Sequence, residues 1–187
     1  MNQLVKIPDL IGAQSYRMTA DVFTRVIAAD AFGDAHVELV DGELIEMAPS
    51  QTSHGKLLMT VGRLLGNVYP EPEFTIFGDT IVRFDEATVR APDITVIDTD
   101  IGDRNHVLPA DILLAVEISQ STLTEDLGRK RIDYASAGIR HYWVVDVDGR
   151  RIHTYTDPQG ADYAAIHVFA FGEAMPVPEA EGTITLL

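Results

Sequence analysis

The sequence has no cysteine, few basic residues and no long hydrophobic run, and each absence narrows what the chain can be. Without cysteine there is neither a disulfide framework nor a thiolate metal site. Carboxylates, histidines and water remain as metal ligands, a donor set that favours hard cations. No apolar segment approaches the roughly 20 residues that a membrane helix needs, which predicts a soluble chain with no membrane partner. The amino-terminal stretch MNQLVKIPDLIGAQSYRMTADVF carries Pro8 and Asp9 where a secretory core would be unbroken. No export signal is read there, and a cytoplasmic location is expected.

Fourteen basic against twenty-nine acidic residues give a net charge of −15, a balance that opposes a broad electrostatic footprint on nucleic acid. The basic residues are nevertheless clustered: Arg129, Lys130, Arg131, Arg140, Arg150 and Arg151 lie close together in the chain. Two readings of that cluster stand open, a local basic surface and a solvated helix face.

What is present is a globular composition, 46% hydrophobic and 23% charged over 187 residues. That length suits a single domain over residues 1–187, with no linker or repeat to divide it. Thr19 caps a predicted helix that carries Val22, Phe23, Val26 and Ile27 at helical spacing. Apolar and polar residues alternate on either side of Asp41-Gly42, a hairpin signal. Leu57, Leu58, Val61, Leu64, Leu65 and Val68 form the stripe of a second helix that Pro70 and Pro72 stop. Short β-branched runs at EFTIFG, TIVRFD, DITVID and ILLAVEIS predict strands. STLTEDLGRKRIDYASAG predicts a third helix closed by Gly138. IRHYWVVDVDGRRIHTYT predicts two strands joined at Asp148-Gly149, and ADYAAIHVFAF and GTITLL predict edge strands. The order implies an α/β or mixed α+β fold, a central mixed sheet flanked by helices.

Two acids stand out. Pro92 fixes the chain just before Asp93, which places Asp93 at a strand end where its carboxylate meets water. Glu117 sits inside LLAVEIS, apolar on both faces except there and at Ser119, so the strand reads as central. A carboxylate in that position must be paired, protonated or bound to a metal. If the two strands are neighbours, both acids reach one point and could hold Mg²⁺, with Mn²⁺ as an alternative. A water at such an ion is a nucleophile for phosphodiester cleavage. Lys130, early in the next helix, could lean toward the same point. Taken singly, each residue has a plainer use: Glu117 in a buried ion pair, Asp93 in a turn, Lys130 on a solvated face, His54 as a cap. Tyr142 and Trp143 read as core, and Tyr134, one turn from Lys130, as a residue able to line the pocket.

The ordered set resembles the PD-(D/E)XK nuclease superfamily: Pro92-Asp93, then Glu117-Ile118-Ser119, then Lys130 and Tyr134. With ELVDGELIEM, SHG and AGIRHYWVVD in the same order, residues 18–156 look more narrowly like the Uma-type restriction endonuclease family. The resemblance implies a restriction-endonuclease-like core over about 18–156, with carboxy-terminal edge strands over 160–187. It also implies Asp93 and Glu117 as metal ligands, the carbonyl of Ile118 as a further ligand, and a catalytic lysine. The superfamily's lysine usually stands two residues after the second acid, where this chain has Ser119, and Lys130 fits the migrated position. Arg129 and Arg131 compete for that assignment. Glu38, ahead of Glu43, is the candidate for an amino-terminal acid, and His54 and Tyr134 are auxiliary candidates. The function implied is a metal-dependent endonuclease with DNA as partner; partner proteins that supply basic surface, or a homodimer that pairs two basic clusters across a two-fold axis, would reconcile that partner with the acidic charge. A catalytically silent binding or assembly module, and a hydrolase of RNA or small phosphoesters, remain as alternatives.

Overall fold

The computed structural model describes residues 15–47 and 51–187. The stretch read for an export signal lies largely outside them. In chain order the elements are α1 (Ala20–Ala28), β1 (Val37–Val40), β2 (Glu43–Glu46), α2 (Thr52–Gly66), β3 (Thr75–Gly78), β4 (Val82–Arg83), β5 (Val89–Arg90) and β6 (Ile94–Ile97). Then come β7 (Ile112–Ser119), α3 (Leu123–Glu125), a π-helical turn (Asp126–Lys130), α4 (Arg131–Ser136), β8 (His141–Asp146), β9 (Arg151–Gln159), β10 (Asp162–Ala170), β11 (Met175–Pro176) and β12 (Thr183–Ile184).

A six-stranded sheet in the order β10-β9-β8-β7-β6-β3 forms the centre, with β7 and β8 parallel and the other pairs antiparallel. This is the expected mixed sheet. All eight residues of β7 are buried, as a strand covered on both faces requires. Leu114, Val116 and Ile118 point to one face, where Val61 and Leu65 of α2 pack. Ala115 points to the other, together with Tyr142 and Val144 of β8, against Tyr134 and Ala135 of α4. The period of two therefore puts Glu117 and Ser119 on the α4 face.

One difference from expectation bears on the site. A separate four-stranded sheet, β2-β1-β5-β4, stands beside the central one, and the two-residue strand β5 has no run of its own to announce it. It forms because Val89 pairs with nearby Arg83 of β4 and with Leu39 of β1, which is remote in sequence. The segment 91–93 then carries the chain from β5 into β6, so Pro92 marks the passage from one sheet to the other. GTITLL likewise forms no edge of the central sheet; β12 pairs with β11 in a two-stranded ribbon.

Local signals hold where they are strong. Thr19 caps α1, its Oγ1 accepting from the N–H of Val22 at 3.4 Å. Asp41 and Gly42 adopt φ of 50° and 79°, the left-handed pair that a two-residue hairpin turn demands. Gly138 closes α4 at φ 77°, with the N–H of Ile139 donating to the carbonyl of Tyr134 at 3.1 Å.

Candidate active site

The site lies where the two sheets and the α3–α4 segment meet. Asp93 immediately precedes β6 and keeps a side chain 15% exposed, as its position after Pro92 suggests. Its Oδ2 accepts from the backbone N–H of Ile118 at 2.6 Å, which ties it to the neighbouring strand one residue beyond Glu117. His54, in the first turn of α2, meets the same oxygen at 3.2 Å. That hydrogen bond raises the His54 pKa above its usual value, against burial, which opposes it.

Glu117 is 3% exposed. Its Oε1 accepts from the Tyr134 hydroxyl at 2.6 Å and faces the Lys130 ammonium at 3.0 Å. Its Oε2 takes no hydrogen bond among the described residues. Burial pushes the Glu117 carboxyl up to about 8; Lys130 pulls the other way, while Asp93, Asp126 and Glu38 push further up. Lys130 is equally enclosed, at 3% exposure. Burial disfavours its charge, but Glu117, Glu38 and Asp126 overcome that, so its pKa lies above the ordinary lysine value and it stays an ammonium. Its distances to Glu38 Oε1 and Asp126 Oδ1 are both 3.6 Å.

Lys130 closes the π-helical turn and points inward, and Asp126, four residues before it, faces the sheet with it; such turns are frequent at functional sites. Tyr142 holds the turn by donating its hydroxyl to the carbonyl of Asp126 at 2.9 Å. The neighbours of Lys130 point elsewhere: Arg129 pairs with Asp133 and Asp41, and Arg131 with Asp162. Of the three basic residues, only Lys130 is buried in the site. Glu38 likewise stands apart from Glu43, which pairs with Arg17 on the surface. Glu38 is buried, with Oε2 accepting from Arg90 at 2.7 Å and Oε1 from the N–H of Ala91 at 3.2 Å.

One expectation needs correction, and one open reading is narrowed. Tyr134 does not line the cavity; it is fully buried behind Glu117, between the rings of Phe84 and Tyr142. The basic cluster is not an open patch. Besides Lys130, Arg129 and Arg131, Arg140 pairs with Asp98 and Glu179, and Arg150 lies over the Phe171 ring. In so acidic a chain most of these cations find a carboxylate.

Sequence reasoning missed Arg90, Asp126 and Asp133. Arg90 is buried and bridges Glu38 to Asp133, and Asp126 is buried against Lys130 and Thr122. The available signal for Asp126 was its spacing of four from Lys130; nothing local marks Arg90.

Asp93, Glu117, Ile118, Glu38 and Lys130 all line one cavity of about 620 Å³. Four carboxyl groups (Glu38, Asp93, Glu117, Asp126) here meet two cations (Arg90, Lys130), and Asp126 Oδ1 is enclosed without a hydrogen-bond partner among the described residues. No three histidine or acidic side chains among the described residues converge as a closed metal cage. Asp93 and Glu117 instead bring two carboxyl groups to one cavity, donor chemistry of the kind Mg²⁺ takes with water and phosphate completing its shell.

The arrangement has the nuclease-like α+β fold. It superimposes on the crystal structure, at 1.96 Å resolution, of "a putative nuclease belonging to DUF820" from Anabaena variabilis ATCC 29413, with a TM-score of 0.66 and 20% identity over 86% of this chain and 89% of that one. Residues 26–186 match the Uma2 family, whose description is "Putative restriction endonuclease", and the chain belongs to that family. No curated protein matches it. Among the described residues no helix is long and apolar enough to cross a membrane.

Proposed function

We propose that the protein is a divalent-metal-dependent nuclease that hydrolyses phosphodiester bonds of DNA. The observation that carries this reading is the convergence of Asp93 and Glu117, from neighbouring strands, on one cavity beside the Lys130 ammonium. Asp93, Glu117 and the carbonyl of Ile118 would hold Mg²⁺ or Mn²⁺. The ion supplies positive charge for a phosphate group and lowers the pKa of water.

The chain's own residues prepare that chemistry. The N–H of Ile118 and His54 both engage Oδ2 of Asp93, so Oδ1 is the oxygen left for an ion. Tyr134 and Lys130 both engage Oε1 of Glu117, so Oε2 is the oxygen left for an ion. Lys130, charged throughout the physiological range, offsets the carboxylates and does not accept a proton, so it is no general base. Glu38, anchored by Arg90, faces Lys130 from the opposite side and holds the ammonium in the site.

Plasmid DNA incubated with the protein and Mn²⁺ tests the reading. Cleavage by the wild type that disappears in Glu117→Gln and Asp93→Asn, with folding retained, is the expected result. Cleavage that persists in both variants overturns it. A silent binding module is favoured by the paired state of the arginines, which leaves little open basic surface, and no cleavage by the wild type would select it.

A further inference from the structure

The cavity holding Asp93 and Glu117 has a second wall of different chemistry, which the reaction above does not use. Phe23, Ile27, Phe32, Val37, Ile81 and Val89 line it. All belong to the apolar cluster between α1 and the four-stranded sheet, and Ile27, Phe32, Val37 and Ile81 are only partly buried there. Apolar surface that the protein covers on one side and leaves facing a cavity is surface a ligand can cover. The Phe32 ring rests beside that of Phe23, with centroids 6.2 Å apart, and is therefore held in place. Gln51 and His36 line the same space and bring hydrogen-bonding groups.

Access restricts what enters. The Glu117 carboxyl is 3% exposed, so a phosphate must be brought to it inside a cavity of about 620 Å³. That volume suits a small-molecule ligand, and hence one nucleotide. In a duplex the bases are stacked and paired, and extruding one costs a few kcal/mol before binding begins. The acidic lining adds a second restriction: Asp30, Asp34 and Asp79, all exposed, border the cavity and repel the flanking phosphates of a rigid duplex, whereas a single strand bends away.

Resting on the nuclease reading, we infer that this cavity is a subsite for one unstacked nucleotide of single-stranded DNA, its base on the Phe32 wall and its phosphate at Asp93 and Glu117. Base-on-aromatic stacking tolerates any sequence, so the preference is for strandedness and not for a target sequence.

Calorimetry in Mn²⁺ tests the subsite by comparing thymidine 5′-monophosphate with inorganic phosphate. The wild type is expected to bind the nucleotide at least about tenfold more tightly, and Phe32→Ala to reduce that ratio by about fivefold or more. Ile81→Ala, on the same wall, provides a second reading if Phe32→Ala melts early. Equal affinity for nucleotide and phosphate, or a ratio untouched by both substitutions, overturns the subsite. Cleavage of a single-stranded oligonucleotide faster than its duplex supports it, and equal rates count against it. If nothing is cleaved while the ratio and its loss hold, the subsite stands and the nuclease reading alone falls.

Discussion

The Lys130 ammonium lies 3.0 Å from Oε1 of Glu117, and both side chains are almost wholly enclosed. Removing one member of such a pair strands the other in a low-dielectric setting, which costs more than the pair itself contributes. Lys130→Ala is expected to destabilise the protein by roughly 3 kcal/mol in urea titrations. Glu117 then takes up a proton more readily, so the loss is expected to be smaller at pH 5 than at pH 8.

The Glu117 carboxyl predicts a second pH dependence. Its folded pKa, about 8, lies above its unfolded value of 4.5. Between those values the folded chain keeps a proton that the unfolded chain loses, so stability falls as pH rises from about 4.5 to about 8 and is level above. Glu117→Gln, which cannot ionise, is expected to lose less stability over that window, by an amount on the order of a few kcal/mol. Parallel slopes for the two proteins would show that Glu117 is already ionised at neutral pH.

His54 shifts the other kind of group. Its raised pKa comes first from the hydrogen bond to Asp93, and it contributes stability that is complete below about pH 6.5 and lost as pH rises through the folded value. An NMR titration is expected to place the His54 midpoint above 6.5 in the wild type and lower in Asp93→Asn.

Tyr134→Phe removes one hydroxyl and little volume. The Glu117 oxygen loses a donor at 2.6 Å, and the expected cost is about 1 kcal/mol by thermal or chemical denaturation. Because a Phe ring still fills the space between Phe84 and Tyr142, a much larger loss would point to a packing defect instead.

The legibility of this site follows physical lines. Asp93 and Glu117 were readable because a proline fixes one and an apolar strand isolates the other, and both signals are local. The pairing of their strands makes them neighbours, as the antiparallel match of Ile94 with Val116 shows. Lys130 was favoured over Arg129 and Arg131 only through the resemblance, since three adjacent basic residues carry no local signal of which one is buried. Arg90 was hidden for a different reason: β5 exists only through its contacts with β1 and β4, and no periodicity over two residues marks a strand. The joining of the β1–β2 hairpin to β5, and with it the anchoring of Glu38, therefore emerges only from tertiary contacts.

Titration calorimetry with Mn²⁺ at pH 8 addresses the central proposal most directly. The account predicts one site in the wild type, with proton release as the ion displaces the proton on Glu117, and no site in either Asp93→Asn or Glu117→Gln. A wild type that binds no ion, or variants that bind it as tightly as the wild type, would contradict the account.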